Sequence, residues 1–231
     1  MRIKICGLFR DEDINYVNEA RPDYAGFVFA KSPRQVSSVM AQYLRFRLAE
    51  GIEPVGVFVN APIKLIVELY KNGTISIAQL HGAEDDAYIK RLKEVSAAEN
   101  FKAIPVIKAI KFEKEDTGKV IATNADFLLL DSGAGSGKTF NWDILKSIKI
   151  NKPWFLAGGI DLKNIDKAMS LKPFGIDVSS GVETDGLKDR KKILELTSIM
   201  GKQSKQPDGI KINYTMRVEH CRRRTTLSIK E

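Results

Sequence analysis

Eight short apolar runs, separated by amphipathic stretches, constrain this chain more than any other feature. They are Arg2–Ile5, Tyr24–Phe29, Pro54–Val59, Ile75–Leu80, Ala103–Ala109, Asp126–Leu130, Trp154–Ala157 and Gly175–Val178. Each has the length and β-branched or aromatic content of a strand. Their starts fall about 20–30 residues apart, the distance a strand needs for a helical return to a parallel neighbour. Several are apolar almost throughout, such as Phe127-Leu128-Leu129-Leu130. That composition suits parallel strands buried on both faces.

The stretches between read as helices. Asp11–Glu19 opens with acids in its first turn, which favours a helix N-terminus. Ser37 is placed to cap Val39–Ala49. Pro62 precedes Ile63–Lys71, and Asn72-Gly73 ends it. Asp85–Ala97 sets Tyr88, Leu92 and Val95 on one face. Glu113–Ala122 is interrupted by Gly118, and Trp142–Ile148 follows. Leu162–Leu171 starts behind Asp161, and Leu187–Met200 closes the body. Eight such units predict an α/β fold, a (β/α)8 TIM barrel in a single domain over residues 1–200. A doubly wound open sheet is the competing arrangement. No G-x-G-x-x-G follows the first strand, which speaks against its dinucleotide-binding form.

Past Met200 the pattern dissolves into Gly201-Lys202-Gln203-Ser204-Lys205-Gln206-Pro207-Asp208-Gly209, a linker-like composition. Residues 201–231 hold eight Lys/Arg against three acids, so this C-terminal extension supplies +5 of the chain's net charge of +8. A basic arm for nucleic acid or membrane is one reading of it. An unstructured or appended string is the one its composition favours. The body is only mildly basic, which suits an anionic small molecule better than a nucleic-acid groove. No nucleic-acid partner is therefore expected, and no apolar run approaches a membrane span.

Two cysteines, Cys6 and Cys221, and two histidines, His81 and His220, bound the chemistry. No disulfide framework or Cys-x-x-Cys spacing exists, which fits a reducing cytoplasm. Met1-Arg2-Ile3-Lys4 lacks the apolar core of a signal peptide. A multi-histidine metal site cannot be assembled.

In a barrel the C-terminal ends of the strands carry the chemistry. Lys4-Ile5-Cys6-Gly7 puts a thiol at the first such end. A strand cysteine is most often a small buried hydrophobe, so position alone does not make it a catalyst. Arg34, after strand two, is able to grip a carboxylate with both arms of its guanidinium; a solvated surface arginine is the commoner fate. His81, after strand four, offers a hydrogen bond or a ring face to a ligand, or is a structural histidine. Asp131 ends strand six as a cap, an ion-pair partner or an acid/base. Next comes Ser132-Gly133-Ala134-Gly135-Ser136-Gly137-Lys138-Thr139. It falls one residue short of a phosphate-binding P-loop, because position 132 is Ser. Gly158-Gly159 after strand seven and Ser180-Gly181 after strand eight occupy the positions where barrels build phosphate sites from backbone amides.

These stretches resemble phosphoribosylanthranilate isomerase, the single-domain barrel of tryptophan biosynthesis. The resemblance is carried by Lys4–Gly7, Gly26–Phe29, Ser32–Arg34, Val55–Asn60, Gln79–Gly82, Leu129–Asp131, Gly135–Trp142, Leu156–Gly159 and Asp177–Glu183, in family order over residues 2 to about 199. Ser136 stands where a glycine is usual and Asn141 where an aspartate is usual. The resemblance implies an Amadori rearrangement of N-(5-phosphoribosyl)anthranilate to the 1-amino-1-deoxyribulose 5-phosphate, without cofactor or metal. It implies a phosphorylated aminosugar as substrate and a monomer or homodimer. It makes Asp131 the general acid and Cys6 the general base. Arg34 would hold the anthranilate carboxylate, and amides around Gly158, Gly159, Ser180 and Gly181 the phosphate. A thiol near its ordinary pKa is mostly protonated at neutral pH, so a nearby cation would help. Lys4 is close in sequence, although strand alternation can aim it elsewhere. Another phosphosugar-processing barrel enzyme and a non-catalytic phosphate-ligand binding protein are the alternatives.

Overall fold

The computed structural model of the protein describes residues 1–98, 102–111, 123–131, 142, 145 and 150–203. Among them, eight strands follow one another in chain order: β1 (Arg2–Cys6), β2 (Tyr24–Val28), β3 (Glu53–Phe58), β4 (Ile77–Leu80), β5 (Val106–Lys111), β6 (Phe127–Asp131), β7 (Trp154–Ala157) and β8 (Gly175–Val178). All are parallel, and they close into a barrel in sequence order. The seam is the β1–β8 pair, in register from Arg2 against Gly175 to Ile5 against Val178. Outside the barrel lie α1 (Asp11–Ala20), α2 (Ser38–Arg47), α3 (Ile63–Lys71), α4 (Asp86–Ser96), α5 (Ile165–Ser170) and α6 (Arg190–Gln203). The expected helix over 113–122, the glycine-rich loop over 132–139, most of the helix over 142–148 and the tail beyond 203 lie outside the described residues.

Every expected strand is present, and where an end has moved a local hydrogen bond explains it. β4 starts at Ile77 because the Ile75 amide donates back to Leu69 O at 3.2 Å, closing off α3. β5 starts after Pro105, which has no N–H for a ladder; the Ile104 amide donates to Ser96 Oγ instead. Ser37 caps α2 as expected, accepting from Met40 N, and Asp85 caps α4 by accepting from Tyr88 N. Asp161 does not cap α5. It accepts from Lys163 N in a local turn, and Asn164 stands at the helix start. The last helix was expected from Leu187 but begins at Arg190. A short turn, Ser180–Val182, leads instead into a hairpin of β9 (Glu183–Thr184) and β10 (Leu187–Lys188). Asp185 and Gly186 both take positive φ, 53° and 78°. Asp-Gly is the pair that a two-residue hairpin turn favours for that reason.

Strand alternation divides the core into two layers. Ile3 and Ile5 point outward and pack with Ile14, Val17 and Leu196 beneath the helices. Val55, Ile77, Ile107, Phe127, Leu129 and Phe155 point inward. At the N-terminal end of the barrel, Tyr24, Phe127, Phe155 and Phe174 form an aromatic floor with ring centroids 5.4–6.0 Å apart. Phe127 and Phe155 are buried, and burying such a ring contributes about 1.5–3 kcal/mol. Lys4 breaks this pattern: it is a fully buried cation, and its partner Asp177 on β8 is buried with it.

Candidate active site

Parallel closure sets the C-terminal ends of all eight strands on one face. Cys6 ends β1 and Asp131 ends β6; His81 follows β4 directly. Gly158 and Gly159 follow β7, and Ser180 and Gly181 follow β8. Arg34 lies in the connection from β2 to α2. The structure joins these residues into two clusters, one around Cys6 and Arg34 and one around His81 and Asp131.

The thiol sits in a tight place. Cys6 is 7% exposed, and a Cβ at Gly26 on the neighbouring strand would come 2.7 Å from its Sγ. Only glycine at position 26 leaves the sulfur this room. Ser179 Oγ donates to Cys6 O at 3.1 Å, tying the β8 end to the β1 end. Two residues upstream, Lys4 Nζ donates to Asp177 Oδ1 of β8 at 2.9 Å, and the lysine side chain is fully buried. A spacing of two on a strand keeps side chains on one face. Alternation therefore aims Lys4 at the thiol's side of the sheet, contrary to the expectation that it can aim it away. Burial pushes the Cys6 thiol up; Lys4 pulls it down, Asp177 pushes it up, and Lys188 adds a smaller downward pull. Burial wins, and the thiol's pKa lies above its ordinary value. Burial also opposes the Lys4 charge, but Asp177 and Cys6 outweigh it and hold the ammonium protonated.

Arg34 crosses Gly7, close to Ser179 Oγ. Its Nε and Nη2 donate to the two oxygens of Glu183 at 2.7 and 2.5 Å. Lys188 Nζ donates to the same carboxylate at 2.5 Å and to Ser179 O at 2.9 Å. Burial pushes the Glu183 carboxyl up, yet the hydrogen bonds from Arg34 and Lys188 prevail and hold it below its usual range. Burial lowers Lys188 despite Glu183. Glu183 thus occupies one edge of the Arg34 guanidinium, and Arg34 Nη1, on the opposite edge, makes no hydrogen bond among the described residues. A planar fork with one edge anchored can present the other to a second carboxylate.

Across the barrel, His81 Nε2 lies 3.2 Å from Asp131 Oδ2, and His81 Nδ1 lies 3.2 Å from Gln79 Nε2. With the Gln79 amide donating to Nδ1, the neutral imidazole donates from Nε2 to the Asp131 carboxylate. Gln79 Oε1 is then buried without a partner. Turning the amide over pairs that oxygen with Nδ1–H. His81 Nε2 then becomes an acceptor, and the proton belongs to Asp131. The same three side chains thus accommodate both protonation states of the carboxyl group.

The two glycine segments are contiguous. Gly158 and Gly159 adopt positive φ, 93° and 65°. Gly181 lies so close to the Ile160 carbonyl that a Cβ would sit 1.8 Å from its oxygen. The loops after β7 and β8 therefore press together into one backbone surface at the mouth. Among the described residues, no group of three or more His, Cys, Asp or Glu side chains could hold a metal ion. No helix of the described residues is long and apolar enough to cross a membrane.

This arrangement has counterparts. Residues 3–198 match the family described as N-(5'phosphoribosyl)anthranilate (PRA) isomerase. The chain belongs to this family. A relative named N-(5'-phosphoribosyl)anthranilate isomerase, from Endomicrobium trichonymphae, is 47% identical over 205 residues, 86% of this chain and 98% of that protein. Among solved structures, TrpF from Jonesia denitrificans superposes with a TM-score of 0.73 at 32% identity, covering 85% of this chain and 95% of that one. A phosphoribosyl anthranilate isomerase in complex with reduced 1-(o-carboxyphenylamino)-1-deoxyribulose 5-phosphate gives a TM-score of 0.69 at 29% identity, over 86% and 97% of the two chains.

In this isomerase barrel, Lys4, Gln79, Asp177, Glu183 and Lys188 join the site without having been singled out by the sequence as site residues. For Lys4 the available signal was its two-residue offset from Cys6. For Glu183 and Lys188 it was the Asp-Gly turn that folds one back over the other.

Proposed function

We propose that this chain is a phosphoribosylanthranilate isomerase in which Asp131 is the acid and Cys6 the base. The observation that carries the reading is a carboxyl group and a thiol at the ends of β6 and β1, on one face of the family's barrel. Asp131 gives its proton to the furanose ring oxygen as the C1–O bond breaks. The anthranilate nitrogen lone pair forms the C1=N bond, leaving a cationic Schiff base. That cation acidifies C2–H, and the Cys6 thiolate removes the proton. The C–H electrons form the C1=C2 enol-amine, which tautomerises to the 2-ketose. Arg34 offers the guanidinium edge not held by Glu183 to the anthranilate carboxylate. His81 orients Asp131. The amides of Gly158, Gly159, Ser180 and Gly181 line the phosphate end. The base must stay a reduced thiol, a condition that the cytoplasm supplies.

The test is the decay of anthranilate fluorescence when phosphoribosylanthranilate, generated in situ, meets the purified chain without added metal or nucleotide. The expected result is rapid decay that Cys6→Ser and Asp131→Asn each abolish. A folded chain that produces no decay would overturn the function. Decay that survives either substitution within a fewfold would remove that residue from the mechanism.

A further inference from the structure

We propose that Lys4, held in place by Asp177, is the positioning residue that makes the Cys6 thiolate attainable, as a buried counter-charge on the same inner face of β1. This rests on the reading of Cys6 as the base.

Three observations carry it. The first is burial. Lys4 has no exposed surface, and lysine is almost never fully buried unless paired. Two apolar side chains in place of Lys4 and Asp177 would suit that layer at no greater cost, because a buried ion pair is weak as a stabilising device. The second is direction. Lys4 and Cys6 are two residues apart on one strand, and the ammonium has three N–H donors. Asp177 accepts from it at 2.9 Å, leaving donors for the sulfur. The third is charge balance. With a neutral thiol, Lys4 and Asp177 cancel. When the thiol loses its proton, Lys4 attracts the new charge and Asp177 repels it, so the two neighbours act on Cys6 with opposite sign. The other charged groups that face the thiol are Lys188 on β10 and Arg34 from the β2–α2 connection. Both already donate to Glu183.

The opposite signs supply the test. The full chain is treated with iodoacetamide across a pH series, and carbamidomethylation is read by mass spectrometry on the Cys6 peptide, which separates it from Cys221. Thiolate is the reacting form, so the midpoint reports the Cys6 titration. Lys4→Met is expected to move that midpoint up by about one pH unit or more, a tenfold loss of thiolate at fixed pH. Asp177→Asn leaves the ammonium with the thiolate as its buried partner. It is expected to move the midpoint down by about as much. The Lys4→Met/Asp177→Asn pair, which removes both charges together, falls between the two single variants. General loosening of the fold would move both single variants the same way. Equal direction, or no movement in either, overturns the proposal. If Lys4→Met alone does not fold, the double variant must still titrate above Asp177→Asn; failure to do so overturns it equally. Alkylation reads the thiol and not turnover. Shifted midpoints in a chain without isomerase activity would count against the function alone. Isomerase activity with unmoved midpoints would count against Lys4 alone.

Discussion

The two halves of the mouth are built on different principles. Around Cys6, on the side of β1, β2 and β8, five formally charged side chains are partly or wholly buried: Lys4, Asp177, Arg34, Glu183 and Lys188. On the side of β4 and β6, the His81 imidazole meets Asp131 and is itself met by the Gln79 amide, with His81 27% and Asp131 21% exposed. In the proposed mechanism the Cys6 side must stabilise an anion on sulfur away from water, and buried cations favour that. The Asp131 side, as the proposed acid, must regain a proton after each turnover. Partial exposure and partners that can exchange donor and acceptor roles serve that need. Under the proposed roles, the mouth would support base and acid by different means, paired charges around Cys6 and an exchangeable imidazole hydrogen bond at Asp131.

Substitutions break or sharpen this contrast. The largest effects belong to the proposed acid and base: Cys6→Ser and Asp131→Asn should each lower kcat by about 10²–10⁴-fold in the fluorescence assay, the range for general acid–base groups. Loss in one but not the other would leave the mouth with a single chemical half. Next comes Arg34→Ala, which removes a charge-assisted contact of about 1.5–3 kcal/mol. It should raise KM by about ten- to a hundredfold; an unchanged KM counts against the carboxylate clamp. Glu183→Gln is expected to be milder, a rise in KM of a fewfold as the guanidinium loses its anchor, with a separate signature in stability. The Glu183 carboxyl is held below its usual pKa in the folded chain. Its contribution is therefore complete above the unfolded value and lost as pH falls through the folded one. Denaturant titrations from pH 6 down to about pH 3 should show the parent losing stability more steeply than Glu183→Gln; parallel curves would remove the charge-coupled role. The smallest effect is expected for deletion of residues 204–231, with turnover unchanged within about twofold and no change in its salt dependence. A salt-sensitive loss would bring the basic tail into the function.

Much of this was legible in the chain. The 20–30-residue spacing of apolar runs gave all eight strands, and strand ends placed Cys6, His81 and Asp131 on one face. Position along a strand is a local property, and periodicity reads it well. Partnership across the barrel is not local. Lys4 meets Asp177 173 residues away and Arg34 meets Glu183 149 residues away. No window of the sequence contains either pair. The expected helix from Leu187 failed because Leu187 and Lys188 read as the start of an amphipathic run. Asp185-Gly186, just before them, was the stronger signal and commits the backbone to a hairpin. For Lys4, strand alternation leaves the direction open until it is counted from Cys6: an offset of two is the spacing that keeps neighbours on one face.

The seam between β1 and β8 has a consequence in time. β1 carries Cys6 and is synthesised first; β8 carries Asp177 and leaves the ribosome some 170 residues later. Contacts of such sequence separation form late, because the intervening chain must be ordered before they can close. Until β8 docks, Lys4 has no Asp177 to fix it, and Ser179 does not yet hold the end of β1. The nascent chain thus carries its reactive sulfur as an ordinary cysteine and assembles its environment only when the ring closes. Completion of the fold and assembly of the charged surroundings of Cys6 are then the same event.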